Sequence, residues 1–262
     1  MPKQSADYWP DSKCAKAFWG QYRLRPYKKL LVETQEQLDP KPGQRWLDLG
    51  CGRGMCTRAL WEKSGGTVSE IVGLDVAAVN VEVYNQLNFS LTPRPRPGQL
   101  RFVAADFSDL SKWPAASFDG VVSGLAITYA NSYSEKLGRW TSEAYDLALS
   151  NVARLLKPGG QFVFSVNVPE PAWSRIALST MMGSFSTWRP DLLFVKALQI
   201  CSYGGWLKRE ARRGRFQYLP IQIVKSKLEA LGLGEAEHKV SFAGCAYLIN
   251  CRKTAMTMLR AA

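Results

Sequence analysis

The chain has 262 residues, 46% of them hydrophobic and 21% charged, and a net charge of +12. That length and apolar content suit one generous domain with a substantial core and exclude dominant disorder. The 21 Gly and 14 Pro follow no collagen or coiled-coil period, and the positive excess invites nucleic acid, an anionic membrane or an acidic ligand as partner.

The N-terminus, MPKQSADYWP, is polar and lacks the apolar core of a signal peptide. Residues 1–40 read as an N-terminal helical cap. Five short apolar runs follow: RWLDLG (45–50), EIVGLD (70–75), RFVAAD (101–106), FDGVVSG (118–124) and QFVFSVN (161–167). Their length and β-branched content predict strands buried on both faces. Helical spacing lies between them, at Cys56, Ala59 and Leu60 after the first run and at Ala144, Leu147, Val152, Leu155 and Leu156 before the fifth. Strand–helix alternation of this kind predicts βαβ units and a parallel, helix-covered sheet. TPRPRPG (92–98) is a loop, because its three prolines suit neither a helix interior nor a central strand. LKPGG (156–160) closes a helix and turns into the fifth strand. Ile221, Val224, Leu228 and Leu231 share one face of a helix over 219–231. HKVSFAG (238–244) and CAYLINC (245–251) predict two antiparallel strands.

Residues 172–216 break this rhythm. They hold Trp173, Met181, Met182, Phe185, Trp188 and Trp206, with eight basic residues against two acidic ones. Half of the net charge therefore sits in one segment. Six irregularly spaced cysteines and a single histidine, His238, predict reduced thiols and no structural metal site. The longest charge-free stretch, 120–134, is rich in Ser, Thr, Tyr and Asn, so no membrane span is expected. These features suggest a cytoplasmic chain.

Chemistry concentrates at the ends of the predicted strands. Asp48-Leu49-Gly50-Cys51-Gly52-Arg53-Gly54 leaves one strand and opens a helix. Glycines at i, i+2 and i+4 allow a tight turn and close approach of a ligand, and a helix N-terminus suits an anionic group. The spacing is GxGxG, so the dinucleotide fingerprint is not met, and no Gly-Lys-Ser/Thr marks a P-loop. Asp75 closes the second run, where an acid either accepts from a ribose diol or caps the next helix. Asp106 closes the third, with Phe107 after it; such a pair can accept from an exocyclic amine and cover a purine face.

Together WLDLGCGRG, IVGLD, AADF, FDGVVSG and LLKPGGQFVFS resemble, in order and spacing, the motifs of the class I S-adenosyl-L-methionine-dependent methyltransferases over residues 40–170. The style is that of small-molecule enzymes of quinone and natural-product biosynthesis. The resemblance implies an α/β, Rossmann-like, doubly wound fold: a mostly parallel seven-stranded sheet with an antiparallel last strand and a helical lid insertion. It divides a single domain into a cofactor-binding core (41–170), a lid (172–216) and closing helix and strands (217–262). It places Asp48, Gly50, Cys51, Gly52 and Gly54 at the methionine part of the cofactor. Asp75 then holds the ribose, Val76 packs on the adenine, Asp106 accepts from the adenine amine and Phe107 flanks it. Ser123, Gly124 and Leu125 line the cleft near the methyl group. A reactive-thiol role for Cys51 is the alternative to a merely small residue in the turn.

Ser123-Gly124-Leu125-Ala126 departs from the Asn/Asp-Pro-Pro-aromatic pattern of base N-methylation, so O- or C-methylation of a small lipophilic or aromatic molecule is the expectation. Tyr129, Tyr133 and Trp173 are candidates for the substrate pocket, with loop and core packing as their other reading. No catalytic base is assigned. The basic residues beside Trp206 and Phe216 suit either a solvated helix face or peripheral contact with an anionic membrane. An RNA methyltransferase and a non-catalytic cofactor-fold protein are the competing classes.

Overall fold

The five apolar runs become parallel strands: β1 (Arg45–Leu49), β2 (Glu70–Asp75), β3 (Leu100–Ala104), β4 (Phe118–Gly124) and β7 (Leu156–Asn167). The structure is a computed structural model and describes residues 23–106, 110–182 and 190–255. With β8 (Leu233–Ser241) and β9 (Ala246–Lys253) the strands form a seven-stranded sheet of order β3-β2-β1-β4-β7-β9-β8. The last strand, β9, runs antiparallel to both of its neighbours. The order reverses between β1 and β4, which is where open α/β sheets form a ligand crevice.

Alternation along each strand explains the layering. Leu47, Leu49, Val72, Leu74, Val121, Phe162, Phe164 and Val166 face one core cluster, under α5 (Glu143–Leu155) and α8 (Ile221–Ala230). Trp46, Ile71, Val122 and Val163 face the other, under α1 (Arg25–Gln37), α2 (Met55–Ser64) and α6 (Trp173–Met182). Strands apolar on both faces must be covered on both, which gives the three-layer stack.

Several expectations shift in detail. In α5 the buried stripe is Tyr145, Ala148, Leu149, Val152 and Leu155, whereas Leu147 is exposed. The i, i+3, i+4, i+7 series starts at Tyr145, not at Ala144, and Leu147 falls outside it. LKPGG is the irregular start of β7 rather than a separate turn: Phe118 pairs with Leu156 and Gly120 with Gln161, so the chain bulges between them. The closing strands lie at 233–241 and 246–253, joined by a 3₁₀ turn at Phe242–Gly244. His238 is therefore within β8 rather than at its start, exposed and edge-on to Tyr247. A two-stranded hairpin, β5 (Ser132–Ser134) and β6 (Arg139–Thr141), follows β4 and had no expectation attached to it.

Among the described residues, the atypical segment holds two helices, α6 and α7 (Pro190–Arg212). Residues 1–22 of the expected cap, together with Phe185 and Trp188, lie outside the described residues, while α1 supplies the cap's described part. Among the described residues no helix is long and apolar enough to cross a membrane.

Candidate active site

β1 ends beneath the crevice, and the chain turns over Gly50–Gly54 into α2. Gly50, Gly52 and Gly54 all have positive φ, at +72°, +50° and +77°. This conformation costs an L residue about 1–2 kcal/mol. At Gly54 a Cβ would also stand 2.4 Å from Leu87 Cδ1. At Gly52 it would meet nothing within 4 Å, so the backbone there lies open to a ligand. Gly50 N–H and Cys51 N–H donate to the Leu74 carbonyl at 2.8 and 3.0 Å, which locks the turn to the end of β2.

Two carboxylates flank this cradle. Asp48 is fully buried; its Oδ2 accepts from the Thr57 N–H at 2.8 Å and the Thr57 hydroxyl at 2.7 Å. Its Oδ1 is buried without a hydrogen-bond partner. Burial pushes the Asp48 carboxyl up to about 7, against the lowering effect of the Thr57 bonds. Asp75, at the end of β2, accepts from Gly52 N–H through Oδ2 at 2.8 Å and from Ala77 N–H through Oδ1 at 2.8 Å. Burial raises its pKa, opposed by those two bonds and by one from the Asn80 side chain. With three donors on about four lone-pair sites, the Asp75 carboxylate keeps room for a further donor.

The other predicted residues take distinct places. Val76 is half-buried beside Asp75. Asp106 is exposed just beyond β3, held near Asp75 by the Ala105 N–H bond to the Asp75 carbonyl at 3.0 Å. Phe107 lies outside the described residues. The buried Ser123 hydroxyl donates to the Leu49 carbonyl at 2.7 Å, so it ties the ends of β4 and β1 together rather than facing a ligand. Leu125 has φ +52° and donates its N–H to Ser165 Oγ at 2.9 Å. Strained backbone of this kind collects at functional sites. A Cβ at Gly124 would stand 2.8 Å from Cys56 Sγ and 3.9 Å from the Tyr27 hydroxyl, which places both beside the cradle. Burial raises the Cys51 and Cys56 thiols well above their usual range, and a reactive thiolate at Cys51 is disfavoured accordingly.

Beyond β4 an aromatic cluster forms. Tyr129, Leu207, Phe216 and Tyr218 are buried together, with Trp173, Tyr203 and Trp206 packed against them. The Tyr129 and Tyr218 hydroxyls lie 3.3 Å apart. Tyr133 is elsewhere, edge-on to Trp140 in the β5–β6 hairpin at 5.1 Å. Thr57, Asn80 and Tyr27 were not singled out in the sequence. Thr57 carries a weak signal, a hydroxyl residue three positions into the helix after the glycine turn. Tyr27, 21 residues before Asp48, carries none.

The basic residues of the segment after β7 are extensively ion-paired. Arg212 Nη2 contacts Glu170 at 3.1 Å, and Lys208 pairs with the same carboxylate. Arg213 pairs with Glu210 at 3.0 Å. Arg215 is not a solvated cation: it is buried, paired with Glu210 at 3.3 Å and stacked over Trp140 at 4.9 Å.

A family model described as "Methyltransferase domain" matches residues 47–164, the stretch that contains the glycine cradle, Asp75 and the end of β4. Residues 47–164 thus resemble a methyltransferase domain. Trans-aconitate 2-methyltransferase of Streptomyces avermitilis is 30% identical over 145 residues, which is 55% of this chain and 46% of that protein. An O-methyltransferase of Pyrenophora dematioidea is 31% identical over 134 residues, 51% of this chain and 43% of that protein. The chain thus matches less than half the length of these curated relatives. The crystal structure of a candidate S-adenosyl-L-methionine-dependent methyltransferase from Methanococcus maripaludis shares the fold, with TM-score 0.60 and 16% identity over 99% of this chain and 100% of that one. The resemblance of residues 47–164 to that family implies S-adenosyl-L-methionine as the group to be fitted to this site. Its residues fit that group: Asp48 Oδ1 is a buried acceptor without a partner, Gly52 presents open backbone, and Asp75 retains acceptor capacity.

Proposed function

We propose that this chain is a methyltransferase that uses S-adenosyl-L-methionine to methylate an oxygen or carbon of a small aromatic or lipophilic molecule. The observation that carries the reading is the unpartnered, buried Asp48 Oδ1, with the open Gly52 backbone four residues on, within a segment matched by the methyltransferase family. Bound S-adenosyl-L-methionine supplies an electrophilic methyl group. The chain's own residues supply position and a dry surrounding. Asp48 Oδ1 accepts from a cationic amine, Asp75 accepts from vicinal hydroxyls, and Asp106 stands at the adenine end. The aromatic cluster around Tyr129 and Trp173 walls the acceptor side, and α6 and α7 act as its lid. Tyr218 is held neutral by burial, so it serves as wall and hydrogen-bond partner rather than as a base.

The test is a mass-spectrometric screen of phenols, hydroxyquinones and amines with deuteriomethyl-labelled cofactor. Label on oxygen or carbon is expected; label on amines alone contradicts the proposal. Salt-dependent RNA binding would favour the competing RNA reading.

Peripheral contact with anionic lipid belongs to the same proposal in weaker form. Lys208 and Arg212 pair with Glu170, and Arg213 and Arg215 with Glu210, so with Arg209 beside them the cluster stays positive, and the Arg212 and Arg213 heads are exposed. Co-sedimentation with phosphatidylserine vesicles should fall on R212E/R213E; no preference for anionic over neutral vesicles rules the contact out.

A further inference from the structure

Asn167 ends β7 at the crevice. It is fully buried, yet neither its amide nitrogen nor its amide oxygen has a hydrogen-bond partner. Such a group ordinarily costs about 1–3 kcal/mol, so it calls for a partner from outside the chain. Its direction follows from the pleat. Phe162, Phe164 and Val166 face the α5 side and Val163 the α1 side, so Asn167 shares the face of Val163 and Ser165. Ser165 Oγ already holds the backbone of Leu125. Asn167 stands two residues further out on that face.

A second unpartnered group is drawn to the same place. The Trp173 indole N–H, at the start of α6, is buried without an acceptor. Cys245 links the two residues: its carbonyl accepts the Val168 N–H at 3.1 Å and its thiol donates to the Ala172 carbonyl at 3.4 Å. Phe242 then joins Trp173 to the cradle. It lies edge-on to Trp173 at 6.4 Å and to Tyr27 at 6.2 Å, and the Tyr27 hydroxyl sits beside Gly124.

We infer that Asn167 and the Trp173 indole N–H form the edge that recognises the methyl acceptor, and that they select a neutral, planar molecule with a donor and an acceptor side by side, such as a lactam or a hydroxy-carbonyl. This rests on the methyltransferase reading above. The amide offers both donor and acceptor, and the indole adds a second donor. Neither group is charged, which matches a neutral ligand rather than a carboxylate. The cluster of Tyr129, Phe216 and Tyr218 that Trp173 joins provides the apolar wall for a flat ring.

The test is calorimetry with saturating S-adenosyl-L-homocysteine and two probes. 4-Hydroxy-2-quinolone carries a lactam edge, and 1-naphthol carries no second polar edge. The wild type should prefer the quinolone by tenfold or more, since sites built around buried polar groups reject ligands that leave them unpaired, by factors of about 10⁴ at the strongest. Asn167→Leu and Trp173→Phe should each erase the preference while keeping homocysteine-cofactor affinity and melting temperature. Equal binding of the two probes to the wild type overturns the inference. So does a variant that loses melting temperature but keeps the preference, which would assign the amide to a buried water. If Asn167→Leu does not fold, Trp173→Phe decides by the same preference. Failure of the wild type to bind S-adenosyl-L-homocysteine overturns the methyltransferase reading itself.

Discussion

Asp48 joins burial, an unused acceptor and a raised pKa in one side chain. With its carboxyl pushed up to about 7, Asp48 titrates where an ordinary aspartate is fully ionised. An ammonium at Oδ1 binds only the carboxylate form well. Affinity for S-adenosyl-L-homocysteine should therefore fall as pH drops through about 7, approaching tenfold per unit below it, and Asp48→Asn should flatten that dependence. Calorimetry between pH 5.5 and 7.5 checks this; a flat wild-type profile contradicts it. The stability of the free protein has the opposite sign. A folded-state pKa above the unfolded one makes Asp48 favour folding at low pH and lose that contribution as pH rises towards about 7. The positions of Asp48 and Asp75 were legible in the sequence because one stands two residues before Gly50, near the end of β1, and the other is the last residue of β2. Asn167 was not. An asparagine ending an apolar run carries no signal until packing removes every partner from its amide.

At the scale of elements, strands β1 to β4 lie close to where their apolar runs placed them, since a strand buried on both faces leaves a continuous hydrophobic signature. The β5–β6 hairpin did not show itself. Its strands are three residues each, and Ser132, Ser134 and Arg139 give no alternation. The lid misled differently, because its basic residues resemble a solvated face in sequence while Arg215 is buried in the structure. Glu210 and Arg215 are five residues apart, across the end of α7, and only the fold reveals the pair. Removing one partner of a buried ion pair leaves the other charge poorly compensated, at a cost of about 3 kcal/mol or more. Arg215→Ala should destabilise the chain by that amount in thermal unfolding, through the lid's contact with Trp140; a loss below about 1 kcal/mol would place the pair in the weak, solvent-screened class.

For the whole molecule, the charge and the chemistry separate in space. The cofactor cradle sits at the switch point between β1 and β4, on the best-marked part of the chain, while the positive excess gathers in the segment after β7. Relatives match this chain over about half its length, and the family model ends at residue 164, just before Asn167 and the lid. On the proposed reading the matched stretch holds the cofactor and the residues after it select the acceptor. Both readings stand on an intact cradle. Isothermal titration with S-adenosyl-L-methionine tests it most directly. One site should bind in the wild type, and Asp75→Ala, which removes two backbone partners of the turn and the acceptors for vicinal hydroxyls, should weaken it by tenfold or more, about 1.4 kcal/mol. No binding by the folded wild-type chain, or unaltered binding by the variant, would contradict the account.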